Sequence, residues 1–139
     1  MRTAWGALLA TGALWASAAQ AVMPPEVYQR ARDEAPFHLE VEVISVTTPE
    51  ADYGVCQVWA RVVMIARDTP GRISLGQELG FGVDCVHRDA DPNAAPDGPL
   101  FEIAEDLQPD RRLDVYLEGS AWGGFSVPAG QVGIIDDGS

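Results

Sequence analysis

The sequence predicts a mainly β domain, a small barrel or sandwich of about six short strands behind one short helix. Three observations carry that prediction. From Phe37 onward apolar and polar residues alternate with period two, clusters of Pro, Gly and Asp punctuate the alternation at regular spacing, and helical periodicity is nearly absent. A chain of 139 residues with 47% hydrophobic content also suits one domain with one core, and argues against disorder.

The first 21 residues read as a leader. Met1-Arg2-Thr3 supplies a positive charge, Ala4 to Ala19 is uncharged and largely apolar, and Ala19-Gln20-Ala21 has the small-x-small cleavage pattern. These are the three parts of a secretory signal peptide, so residues 1–21 are expected to be removed and the protein to be periplasmic or secreted. The apolar run is short of the ~20 residues a spanning helix needs. It is also interrupted by Gly6, Thr11, Gly12 and Ser17, so no stable membrane anchor is expected after cleavage. No cysteine lies near the junction to take a lipid. The alanine-rich leader, and basic residues that are all arginine, suggest a bacterial envelope.

Residues 22–36 form the next unit. Pro24-Pro25 opens a helix over Glu26–Glu34, with Val27 and Ala31 on one face, and Pro36 ends it. The expected barrel domain occupies 37–139. Phe37, Leu39, Val41 and Val43 alternate with His38, Glu40 and Glu42, a strand with one wet face. The alternation slips at Val43-Ile44, where a bulge is expected. After a loop over Thr47–Gly54, Val55–Ala66 is a second strand, with Cys56, Val58, Ala60, Val62, Met64 and Ala66 on one apolar face. Gln57, Trp59 and Arg61 lie on the other. A turn at Asp68-Thr69-Pro70-Gly71 leads to Gln77–Val86, where Leu79, Phe81, Val83 and Cys85 share a face and Gly80 and Gly82 lie opposite. Alternate glycines suggest curvature or close backbone contact. Arg88–Pro99 is a proline-rich acidic loop. Further strands are expected at Leu100–Ile103, Leu113–Glu118, Trp122–Val127 and Gln131–Ile135, the last two hinged at Pro128-Ala129-Gly130.

Two cysteines in an exported chain pair most simply with each other. Placing Cys56 directly opposite Cys85 sets Val58 against Val83, Ala60 against Phe81 and Val62 against Leu79, all apolar. A slip of one residue would bring Asp84 or Gly82 to this face. The midpoint of that register falls between Pro70 and Gly71, in the turn. A redox-active pair would show two cysteines two residues apart at a helix start, which the sequence lacks.

The order of these features resembles a known arrangement. A Val-rich strand leads to Arg67-Asp68 and Gly71, and Leu75-Gly76 precedes Leu79-Gly80-Phe81-Gly82-Val83-Asp84-Cys85. A Pro-rich loop follows, then Leu107-Gln108-Pro109 and Leu113-Asp114-Val115-Tyr116-Leu117. Over roughly Phe37 to Ile135 this is similar to the OB-type barrel of the netrin-like modules and the tissue inhibitors of metalloproteinases. The resemblance implies a small five- to six-stranded OB-like antiparallel barrel used for binding. The inhibitors act through a cysteine at the mature N-terminus, where this chain would have Val22-Met23-Pro24, so their activity is not implied.

The formal net charge of −12 argues against binding the phosphate backbone of nucleic acid or anionic lipid, since both need clustered basic residues. No catalytic residues are expected, because the serines sit in no nucleophile motif and carboxylate pairs arise by chance among 21 acids. Two histidines, with both cysteines paired, make a zinc site unexpected, and no cofactor is expected. Asp89-Ala90-Asp91-Pro92-Asn93 begins like an EF-hand loop, but Ala94 and Leu100 replace the required glycine and glutamate. The preferred reading is a solvated acidic loop. The alternative is a calcium-dependent module using Asp84, Asp89, Asp91, Asn93 and Asp97, or a small hydrolase built around His87 and its acidic neighbours. Trp59 and Arg61, with Trp122 and Phe125, are the candidate binding surface, because exposed aromatics supply contact area at low entropic cost. Such aromatics can also simply pack at the barrel ends. The expected function is an exported, non-enzymatic binding module for an envelope protein, peptide or glycan.

Overall fold

The computed structural model describes residues 24–91, 101–120 and 124–135. The chain order is α1 (Pro25–Glu34), β1 (Phe37–Thr47), β2 (Tyr53–Asp68), β3 (Glu78–Val86), β4 (Glu102–Ile103), a 3-10 turn (Ala104–Asp106), β5 (Arg112–Ser120), β6 (Gly124–Ser126), a second 3-10 turn (Pro128–Gly130) and β7 (Val132–Ile135). The described strands join in one mainly antiparallel sheet. Its pairings run β1-β2-β3-β6-β5 and return from β5 to β1, so five strands close a ring. β4 and β6 lie parallel to β3, and β7 flanks β5. The expected leader, residues 1–21, lies outside the described residues. Among the described residues no helix is long and apolar enough to cross a membrane.

The ring closes because four strands each turn one apolar row inward. Leu39 and Val41 of β1, Cys56, Val58, Ala60 and Val62 of β2, and Leu113, Val115 and Leu117 of β5 are essentially inaccessible, and Leu79, Phe81, Val83 and Cys85 of β3 join them. Each buried aliphatic side chain contributes about 1.5–3 kcal/mol relative to exposure, which makes this core the main source of stability. The expected bulge in β1 is present. Val43 pairs Ala60 and Ser45 pairs Trp59, leaving Ile44 without a partner. The slip lets Val46, on the other parity, pack against the same core.

Two further bulges alter the predicted face of β2. Glu40 pairs Met64 while Val41 pairs Val62, so Val63 is extra, and Ala66 is likewise skipped between Ile65 and Arg67. Beyond Val62 the phase therefore reverses. Ile65 packs on the core, whereas Met64 and Ala66, expected inside, are exposed. These bulges fall where β2 has outrun β3, and distortion of an exposed strand edge discourages pairing with another chain.

The β2–β3 register also differs from expectation. Cys56 lies opposite Val83, Val58 opposite Phe81 and Ala60 opposite Leu79, a shift of two residues. A two-residue shift keeps every side chain on its face, so hydrophobic pattern alone cannot detect it. Cys85 faces Gly54, and the disulfide to Cys56 crosses the ladder diagonally, with a Cα–Cα distance of 5.9 Å. Strand twist shortens one diagonal across the ladder, which brings the two cysteines within bridging distance. The turn at Asp68–Gly71 is present, held by the Gly71 amide on the Asp68 carbonyl and carboxylate. It does not close a tight hairpin, since the ladder ends at Arg61–Glu78 and a second turn at Gly76 (φ +83°) brings the chain into β3.

Helix α1 buries none of its residues, and Val27 remains exposed. It is attached by its C-terminal end. The Arg67 guanidinium donates 2.7 Å hydrogen bonds to the carbonyls of Arg32 and Ala35, and Arg32 donates to Gln131 at 2.7 Å. A cation at a helix C-terminus satisfies orphan carbonyls and complements the dipole.

Candidate functional site

Outward positions of β2 and β3 form a face with unusual composition. Along β2 the outward residues are Tyr53, Val55, Gln57, Trp59 and Arg61, and their β3 partners in register include Asp84, Gly82, Gly80 and Glu78. Tyr53, Val55 and Trp59 are large hydrophobics left exposed, Trp59 by 44%. The glycines opposite explain how a bulky row fits on a strand. An added Cβ at Gly80 would lie 3.1 Å from Trp59 Cε3, and one at Gly82 would lie 2.9 Å from Val55 Cγ1. The side chains of β2 therefore lie across the glycine positions of β3.

Trp59 is held in place. Its indole N–H donates to Glu78 Oε1 at 2.9 Å, and the other oxygen of Glu78 pairs with Arg61 at 3.4 Å. Arg61 also stands opposite Glu42 of β1. A groove of about 300 Å³ runs beside the indole, lined by Trp59, Gln77, Glu78, Gly80, Gly124 and Phe125. A second, of about 360 Å³, is lined by residues including Val55, Gln57, Gly82, Asp84, Phe125 and Ser126. It adjoins the stretch of β3 between its pairings with β6 and β4. The grooves offer an aromatic ring, amide and hydroxyl groups and two carboxylates at opposite ends.

Of the residues singled out by sequence, Trp59 and Arg61 are thus brought together through Glu78, and Phe125 lines the same groove as Trp59. The Phe125 ring meets that of core Phe37 edge-on, 5.4 Å between centroids, so much of it serves packing. Trp122 lies outside the described residues. Glu78, Gln57 and the two glycines were not singled out as site residues, although alternate glycines beside a Trp-bearing strand were the available signal.

The acidic residues distribute differently. Asp84 is exposed on the outward face of β3 opposite Val55, Asp89 and Asp91 follow the strand, and Asn93 and Asp97 lie outside the described residues. Among the described residues no three of His, Cys, Asp and Glu converge in a manner that could hold a metal ion. His87 is engaged elsewhere, with Nδ1 2.6 Å from Glu105 Oε2 and Nε2 2.7 Å from the Pro49 carbonyl. On the opposite side of the ring, His38 contacts Asp114 at 2.7 Å and stacks on Tyr116. Glu102 of β4 is held above the ordinary carboxylate range, first by burial and then by the charge of Asp106.

No family model, curated protein or solved structure matches the chain. The reading of its function therefore rests on this geometry.

Proposed function

We propose that the chain is an exported, non-enzymatic binding module, an OB-like barrel over 37–139 whose partner docks on the outer face of β2 and β3. The partner is an envelope protein, a peptide or a glycan. The observation that carries the reading is Trp59, pinned by Glu78 across Gly80 while 44% of it stays exposed. An indole already immobilised loses little conformational freedom on binding, which favours a recognition role. The five-strand ring supports the OB-like reading, and in such barrels the face of strands two and three is a recurrent ligand surface. The buried disulfide supports export, because bonds of this kind persist in oxidising compartments.

Position-specific crosslinking in the native cells tests the proposal. A photoreactive side chain at Gln57 is expected to yield one reproducible adduct, lost in the Trp59→Ala variant. The same group at Glu40, on the outer face of β1, is expected to yield none. No adduct from position 57, or the same adduct from both positions, overturns the assignment.

A further inference from the structure

His87 follows β3 directly and meets an acceptor at each ring nitrogen: the Glu105 carboxylate on the 3-10 turn and the Pro49 carbonyl in the β1–β2 connection. A neutral imidazole has one N–H and one lone pair. In this position it would satisfy one oxygen and set its lone pair against the other. The imidazolium donates to both, and the bond to Glu105 is then charge-assisted on both sides. The backbone N–H of His87 also donates to the Asp52 carbonyl at 2.8 Å, so residue 87 grips the connection twice.

We infer that protonated His87 is a pH-operated latch, tying the β1–β2 connection and the Ala104–Asp106 turn to the end of β3, and that loss of its second ring proton frees one of the two. The neighbouring charges favour the closed form. Glu105 faces the ring from the turn and Asp52 acts on it from the connection. The nearest arginine does not compete, because the Arg88 guanidinium pairs with Asp106 while its backbone N–H binds the other oxygen of Glu105 at 2.6 Å. The latch also sits at the disulfide end of the β2–β3 ladder. Cys85 is opposite Gly54, where an added Cβ would come within 2.9 Å of the Pro49 side chain.

The hydrogen bond to Glu105, then that to Pro49, hold His87 above its ordinary value of 6.5, with the charges of Glu105 and Asp52 adding and desolvation opposing. The bond from His87, then that from the Arg88 amide, hold Glu105 below its ordinary 4.5. A raised histidine contributes stability that is complete below 6.5 and lost as pH rises through its folded value. A lowered glutamate contributes stability present above 4.5 and lost as pH falls through its folded value. The latch is therefore closed between pH 4.5 and 6.5 and opens as pH rises through the folded value of His87, which lies above 6.5.

Nitrogen-15 NMR of the whole oxidised protein tests this between about pH 5 and about pH 9, a span that contains the ordinary histidine range of about 5 to 8 and extends beyond it on the raised side. Both ring nitrogens of His87 are expected to be protonated in mild acid, with a midpoint above 6.5. The amides of Ala51 and Asp52 are expected to shift at that same midpoint. Exchange of the His87 amide, corrected for base catalysis, is expected to accelerate there. Glu105→Gln should lower the midpoint, and His87→Gln should abolish the transition. If His87→Gln fails to fold, the wild-type and Glu105→Gln titrations decide. A midpoint at or below 6.5, or a connection whose amides and exchange ignore it, overturns the inference.

Discussion

Reducing the Cys56–Cys85 bond is the perturbation whose size follows most directly from the structure. The bond joins residues 29 apart in sequence. In the chain-entropy model, closing a loop of that length removes about 12 cal/mol/K from the unfolded chain, or about 3.6 kcal/mol at room temperature. A domain of roughly 100 ordered residues unfolds with an entropy of about 0.2 kcal/mol/K, so the melting temperature should fall by roughly 18 °C. Both cysteines have no exposed surface, so reductant should act through unfolding, and reduction should accelerate in urea. The assay compares urea unfolding of oxidised and reduced wild-type protein by circular dichroism. A loss below about 1 kcal/mol would refute the reasoning, because the loop-closure entropy should be several times larger.

Two further pairs of substitutions probe the packing. Leu39 is completely buried in β1, and Leu39→Ala should cost about 3 kcal/mol in urea unfolding, whereas Met64→Ala, at a site 49% exposed, should cost less than about 1 kcal/mol. Equal losses would contradict the bulge at Val63. Gly119 has φ +106°, and an added Cβ would run into the carbonyl of Gly124 across the β5–β6 pair. Gly119→Ala should therefore cost more than about 2 kcal/mol. Gly71→Ala, at φ +70° with nothing within 4 Å, should cost about 1 kcal/mol. Thermal melts of the two variants check the contrast, and similar melting temperatures would refute it.

The strand faces were legible because parity is a local property. Phe37 to Val43, Cys56 to Val62 and Leu79 to Cys85 alternate cleanly, and each buries the row the pattern marks. Register was not legible to the same degree. Pairing Cys56 with Cys85 face to face and pairing it with Val83 satisfy the same hydrophobic constraint, and the observed register comes with a second turn at Gly76 that the pattern does not mark. The bulges at Val63 and Ala66 were hidden for a related reason: an uninterrupted apolar stretch does not reveal where its phase reverses. Trp59 and Arg61 could be placed on one outward face, but their link through Glu78 depends on the register. The His87–Glu105 contact joins residues 18 apart, brought together only when β4 pairs with the end of β3.

The central claim is that the outer face of β2 and β3 is built for recognition, with Trp59 as its anchor. Measuring Trp59→Ala for both urea stability and the crosslink formed from position 57 tests it most directly. We expect the adduct to disappear while stability changes by no more than about 1 kcal/mol, the scale of one cross-strand pair. An adduct that survives, or a stability loss of several kcal/mol, would show that the indole serves the fold instead.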